Sequence, residues 1–209
     1  SVPTASIQFA HLNTLPVSHL LLAIFRCPAS PTSRPVIAIL LLLSGNIHLN
    51  PGPTDIHVSL HTLNFRSLFP PNRSSYINDV IQTNNPDIFA ITESWHNLNT
   101  TTPAQLISIT PPGFQLFSVP RSPPASCGGV AFLCRDLLSP ANFTPYPGYL
   151  SFEATSIHLS NISQPLTIFN IYRPPNSEHT LPFSTFLEEF SSFLSLTTTC
   201  SNFAITGDF

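Results

Sequence analysis

The chain has 209 residues, enough for one core of ordinary size, and carries 8% charged side chains with a formal net charge of −3. An average soluble domain has about 25% charged residues, and here every one of the seven basic residues is arginine. That balance excludes a basic stripe of the kind that drives tight, salt-dependent nucleic-acid binding.

The 23 prolines fall largely in loop-like pairs such as Pro70-Pro71, Pro111-Pro112, Pro123-Pro124 and Pro174-Pro175. There is no methionine, even at position 1, so the chain reads as a piece of a longer one. Cys27, Cys127, Cys134 and Cys200 form no C-x-x-C pair, which argues against zinc. Cys127 and Cys134 flank a strand-like run and are expected reduced and partly buried. The sequons at Asn72, Asn99, Asn142 and Asn161 read as chance matches in a chain rich in Ser and Thr.

Residues 1–53 form a first segment with no acidic residue and two apolar runs, 20–25 and 36–43. Each is short of the ~20 residues that cross a bilayer. A partly buried or interfacial segment is the expectation, with anchoring to a membrane through residues 16–43 as a rival. The segment ends in Gly45-Asn46-Ile47-His48-Leu49-Asn50-Pro51-Gly52-Pro53. This resembles the ribosome-skipping peptide of certain viruses and retroelements, D-[VI]-E-x-N-P-G-P after a leucine-rich stretch. Ile47 and Asn50 to Pro53 match, whereas Asn46 and His48 replace the acidic residues. A plain turn is the other reading, since Asn-Pro-Gly-Pro is strong turn chemistry.

From His57 onward strands alternate with helices. Residues 57–65 alternate as a strand, and 74–82 read as a helix capped by Ser74. Strands follow at 87–92, 114–119, 129–134, 150–158 and 166–171. Residues 181–196 place Phe183, Phe186, Leu187, Phe190, Phe193 and Leu194 at helical spacing. Residues 203–206 form the last strand. Mostly strands with a few helices imply an α/β sandwich of two packed sheets.

Two of these strands deliver a carboxylate where they emerge. Pro86-Asp87-Ile88-Phe89-Ala90-Ile91-Thr92 ends in Glu93, and Ala204-Ile205-Thr206-Gly207 ends in Asp208. Two acidic strand ends converging on one edge of a sandwich make a site for a hard divalent cation such as Mg²⁺.

Five motifs occur in order: Thr62-Leu63-Asn64-Phe65-Arg66-Ser67-Leu68; Asn85 to Trp95; Gly128-Gly129-Val130-Ala131-Phe132-Leu133-Cys134-Arg135; Asn170-Ile171-Tyr172-Arg173-Pro174-Pro175; and Thr206-Gly207-Asp208-Phe209. Together they resemble the endonuclease/exonuclease/phosphatase family, and within it the apurinic-type endonuclease domain of LINE-type non-LTR retrotransposons, the chicken-repeat-like elements in particular. The match covers residues 57–209. It implies a domain over 54–209 with the two-sheet α/β sandwich of that family, incomplete at its C-terminus.

The resemblance implies Mg²⁺- or Mn²⁺-dependent phosphodiester hydrolysis and nicking of DNA. Glu93 matches the principal metal-binding glutamate, and Asn64 the asparagine that helps hold the metal-binding carboxylate or a phosphate oxygen. Tyr172 matches the tyrosine set against the scissile phosphate. Asp208 matches the aspartate that orients or deprotonates the attacking water. Taken singly, each has a plainer reading as a strand-end or strand residue. The family pattern continues beyond Phe209 with an asparagine and a later Ser-Asp-His, so this chain alone is expected inactive and poorly soluble. His96 is expected to be a solvated loop residue, and His57, His61 and His158 show no paired metal spacing. Arg66, Arg135 and Arg173 are candidates to face phosphates, with isolated surface positions as the alternative.

The implied partners are DNA, through weak local contacts, and the reverse transcriptase domain of the parent polyprotein, with no stable membrane span. The parent's compartment is nuclear or cytoplasmic, and reducing. The rival functions are a degenerate, non-catalytic retroelement remnant and a small-molecule phosphoesterase of the same fold.

Overall fold

A computed structural model describes residues 58–120, 127–162, 164–175, 181–197, 199–200 and 202–209, with the backbone of Ala5–Ile7. The expectations for the apolar runs, the skipping-like peptide, Cys27 and His57 lie outside the described residues. The elements in chain order are β1 (Ala5–Ile7), β2 (Leu60–Asn64), α1 (Arg73–Asn84), β3 (Ile88–Thr92), α2 (Pro103–Ile109), β4 (Phe114–Ser118), β5 (Val130–Arg135), β6 (Asn142–Pro145), β7 (Glu153–Leu159), β8 (Leu166–Tyr172), α3 (Phe183–Thr197) and β9 (Phe203–Asp208).

They build two sheets, ordered β1-β2-β3-β5-β4 and β6-β7-β8-β9. In each sheet one strand pair is parallel and bridged by a helix. β2 pairs with β3 across α1, and β8 pairs with β9 across α3. The remaining pairs are antiparallel. The sheet-on-sheet expectation therefore holds, with helices on the outer faces.

Strand alternation assigns the layers. All five residues of β3 are buried. Phe89 and Ile91 join Leu63, Phe65, Ile77 and Val80 in the core under α1. Ile88 and Ala90 face the opposite way and join Phe132, Ile157 and Ile168 between the sheets. The same switch occurs on β8, where Phe169 and Ile171 face α3 and Ile168 faces the first sheet. On α3 the buried residues Phe186, Phe190, Phe193 and Thr197 follow helical spacing. Each fully buried phenylalanine there contributes about 1.5–3 kcal/mol.

Local chemistry departs from expectation at three helices. α1 begins one residue early, and its N-cap is Asn72 in the left-handed region (φ 69°) with no side-chain cap bond, so Ser74 is not the cap. α2 was not anticipated, although Thr102-Pro103-Ala104-Gln105 carries its signal. Thr102 accepts from Gln105 N–H, the Gln105 side chain returns to the Thr102 N–H, and Pro103 opens the helix. A short 3₁₀ turn at Asp136–Leu138 and the strand β6 were likewise not anticipated. Both are too short to show a period.

No helix among the described residues is long and apolar enough to cross a membrane. Cys134 is fully buried, whereas Cys127 is exposed rather than partly buried, and neither is in a disulfide.

Candidate active site

Four strands end at one level of the sandwich. Asn64 is in register with Thr92, the last residue of β3, and Glu93 follows directly. Tyr172 is in register with Asp208 on one side and Glu153 on the other. The sheets meet so that Asn64 Nδ2 donates to Glu93 Oε1 at 2.8 Å and to Asp208 Oδ2 at 2.7 Å. One amide thus holds a carboxylate from each sheet. Asn64 Oδ1 accepts the Arg66 N–H at 3.2 Å, which orients the amide with its NH₂ toward the acids.

The turn that presents Glu93 is strained and tightly held. Glu93 and Trp95 sit at φ 53° and 55°, in the left-handed region that costs a non-glycine residue roughly 1–3 kcal/mol. Ser67 N–H donates to Glu93 O at 2.8 Å and Leu68 N–H to Ser94 O at 3.0 Å. From the other side, Ser94 N–H reaches Gly129 O at 3.1 Å and Trp95 N–H reaches Gly128 O at 2.8 Å. Gly128 and Gly129 adopt φ 93° and 92°, which only glycine takes without strain, and this turns both carbonyls onto the Glu93 loop.

Two residues beneath the site lies a polar seam between the sheets. The Thr62 and Thr206 hydroxyls share a short hydrogen bond. Asn170, 0% exposed, donates its Nδ2 to Ile91 O at 2.8 Å and to Ala131 O at 3.0 Å, which are partners in the facing sheet. Thr62, Ile91, Asn170 and Thr206 each precede a site residue by two positions, so their side chains or carbonyls set how Asn64, Glu93, Tyr172 and Asp208 meet. Gly207 completes the alignment. At φ 141°, a Cβ there would stand 1.8 Å from Ile171 O.

Tyr172 is 5% exposed. Burial, then the charges of Glu93 and Asp208, push its phenol well above the ordinary range, with Cys127 and Glu153 acting the same way. The phenol thus holds its proton more tightly than a free tyrosine does. Among the described residues no group of three or more His, Cys, Asp or Glu side chains is placed to hold a metal. What the site does offer is hard oxygen from Glu93 and Asp208, beside the Asn64 amide. That donor set fits an ion such as Mg²⁺, which keeps most of its waters and takes one or two protein carboxylates.

No protein-family model and no curated protein match the sequence. Solved structures do. A 3′-5′ exonuclease (NExo) from Neisseria meningitidis superposes with a TM-score of 0.53 at 18% identity, over 72% of this chain and 57% of that one. An AP endonuclease from Archaeoglobus fulgidus gives 0.51 at 15% identity, over 72% and 56%. An endonuclease/exonuclease/phosphatase family protein from Leptotrichia buccalis C-1013-b gives 0.52 at 14% identity, over 73% and 66%. The chain has the endonuclease/exonuclease/phosphatase fold. It spans 56% to 66% of the length of these three structures.

Within that fold, Asn64, Glu93, Tyr172 and Asp208 gather at one end of the sandwich, and other candidates lie elsewhere. His96 is not a solvated loop residue. It is 9% exposed, hydrogen-bonded through Nδ1 to Ser118 Oγ at 2.7 Å and edge-on to Phe69, and burial lowers its pKa. Arg135 sits at the opposite end of β3, paired with Asp87 at 3.3 Å and stacked on Phe114. It clamps the strand start and does not face the site. Arg66 is exposed beside Asn64, and Arg173 lies over Phe183 and Phe186. Sequence reasoning quoted Thr62, Asn170 and Thr206 within the motifs but gave them no role, and it did not single out Glu153. The signal was there for Asn170, an amide set between Phe169 and Ile171 in a mostly apolar strand.

Proposed function

We propose that this chain carries the metal-binding half of a DNA-nicking endonuclease that hydrolyses phosphodiester bonds. The observation that carries this reading is the Asn64 amide joining Glu93 and Asp208 across 29 and 144 residues of sequence, beside a buried Tyr172. The fold is shared with an exonuclease and an AP endonuclease, which supports phosphodiester chemistry in general. The five ordered motifs support the finer reading of a LINE-type retrotransposon enzyme, with a reverse transcriptase in the parent protein.

Glu93, with Asp208, would hold the divalent ion, and Asn64, expected from the sequence to help hold it, instead turns its NH₂ to both acids and positions them. When bound, such an ion polarises a phosphoryl oxygen and offsets charge in the transition state. Asp208 accepts a proton from the attacking water. Tyr172 donates its O–H to a phosphoryl oxygen as charge grows there. Asn64 keeps the two carboxylates at one spacing, so their mutual repulsion does not spread the site.

The test is conversion of supercoiled plasmid to nicked circles with Mg²⁺, by this chain and by the full product of its reading frame. Nicking by the full product that is lost in Glu93→Gln and in Asp208→Asn supports the assignment. Full activity in Glu93→Gln overturns it. Hydrolysis of small phosphoesters without nicking of DNA would favour the phosphoesterase alternative.

A further inference from the structure

One residue beyond Tyr172 lies a side-chain stack that the hydrolytic reading leaves unused. The Arg173 guanidinium carbon is 5.1 Å from the Phe183 ring centroid and 5.2 Å from that of Phe186. The two rings are themselves stacked, with centroids 5.6 Å apart and planes at 29°. Phe186 is 4% exposed and belongs to the core under α3, whereas Phe183 is 52% exposed. The stack therefore has a buried base and an open aromatic top.

The stack is tied to the candidate site. The backbone N–H of Arg173 donates to Asp208 O at 2.8 Å, so the strand end that carries Asp208 fixes the backbone from which the guanidinium projects. Ile171 faces α3, and alternation places Arg173 on the same face and Tyr172 on the other. Stack and site are on two sides of one strand end, at the same end of the sheet. A nucleic-acid strand crossing that end passes from one to the other.

We propose that Phe183 and Arg173 form a stacking platform for an unpaired nucleobase next to the phosphate held at Tyr172 and Asp208. An aromatic face accepts any base, because every base has a π-face. A guanidinium is planar, weakly hydrated and attracted to a polyanion, so it extends the platform where a lysine ammonium would not. This suits a chain with net charge −3 that has no basic stripe to hold DNA. The place of the phosphate rests on the hydrolytic reading, whereas the stacking does not.

The test is titration of the full 209-residue chain into a single-stranded oligodeoxynucleotide carrying 2-aminopurine, whose emission falls when it stacks. The wild type is expected to quench the probe. Phe183→Ala is expected to lose the quenching and to bind roughly ten-fold more weakly. Phe183→Tyr should retain both, and Arg173→Lys should lose part of the quenching at equal charge. Because Phe183 is half in water, thermal melting of Phe183→Ala should match the wild type. Equal quenching by wild type and Phe183→Ala overturns the platform, as does a wild type that never quenches. The full product of the reading frame separates the two readings: one that quenches yet never nicks DNA would sink the hydrolytic reading and leave the platform standing.

Discussion

Asn64 and Asp208 are 144 residues apart in sequence, yet the Asn64 amide donates to Asp208 Oδ2 at 2.7 Å while its second N–H is on Glu93. The two carboxylates come from different sheets, so this one side chain reports whether the sheets are docked. Most of what the site can do follows from that bond.

Replacing the donor by a third acceptor should reverse its effect. In Asn64→Asp, three like charges face each other, and the metal-free chain should melt several degrees lower, at roughly 2–4 °C per kcal/mol for a domain of this size. Added MgCl₂ should restore part of the loss by offsetting the charge. Calorimetric melts with and without Mg²⁺ check this. Identical melting of variant and wild type in both conditions would mean the acids are not close in solution.

Asn170 should matter more for stability than its single side chain suggests. Asn170→Ala removes two buried donors and leaves the Ile91 and Ala131 carbonyls without them. An unsatisfied buried polar group costs about 1–3 kcal/mol, so the urea midpoint should fall clearly with an unchanged slope. A midpoint within error of the wild type would show that the seam contributes nothing.

Gly207→Ala should be among the most damaging small substitutions in the chain. Its Cβ would stand 1.8 Å from Ile171 O, a backbone atom that cannot rotate away. The parallel β8–β9 pairing must open, and Asp208 moves with it. The expected loss exceeds about 2 kcal/mol, beyond the ordinary surface substitution. Circular dichroism melts measure it, and a wild-type melting curve would contradict the close approach.

Stability should decline on the alkaline side. Burial pushes up the Cys134 thiol, and burial with the Glu93 and Asp208 charges pushes up the Tyr172 phenol. Both groups hold their protons more tightly folded than unfolded. Below the unfolded values, about 8.5 for a thiol and about 10 for a phenol, neither affects the balance. As pH rises past them the unfolded chain ionises first, so stability is lost by at most about 1.4 kcal/mol per pH unit for each group. Denaturant midpoints from neutral pH upward should show the fall, with Cys134→Ala flattening its first part. On the acid side the sign reverses at Glu189. Although burial opposes ionisation there, the Ser151 hydroxyl and the Ser151 and Leu150 N–H groups hold its carboxyl below the usual range. Its contribution is present at neutral pH and is lost on acidification. A flat alkaline profile would mean that Cys134 and Tyr172 reach water in the folded chain.

The short continuous apolar run Ile88-Phe89-Ala90-Ile91 determined that β3 passes through a core, because it leaves no polar side for solvent. The spacing of Phe186, Phe190 and Phe193 determined α3 in the same way, and the polar punctuation between apolar runs located the strands around them. That carboxylates end two of those strands was also legible, since an acid directly after an apolar run has to emerge where the strand does. Strand periodicity, however, is local. It says nothing about which strand end meets which, and the pairing of Asn64 with Asp208 depends on two sheets docking through Asn170 and the Thr62–Thr206 contact. His96 shows the same limit. It lies between Trp95 and Asn97 just past a strand end, where sequence assigns no face, but its neighbours in space are Phe69 and Ser118, and only their packing decided that it is buried.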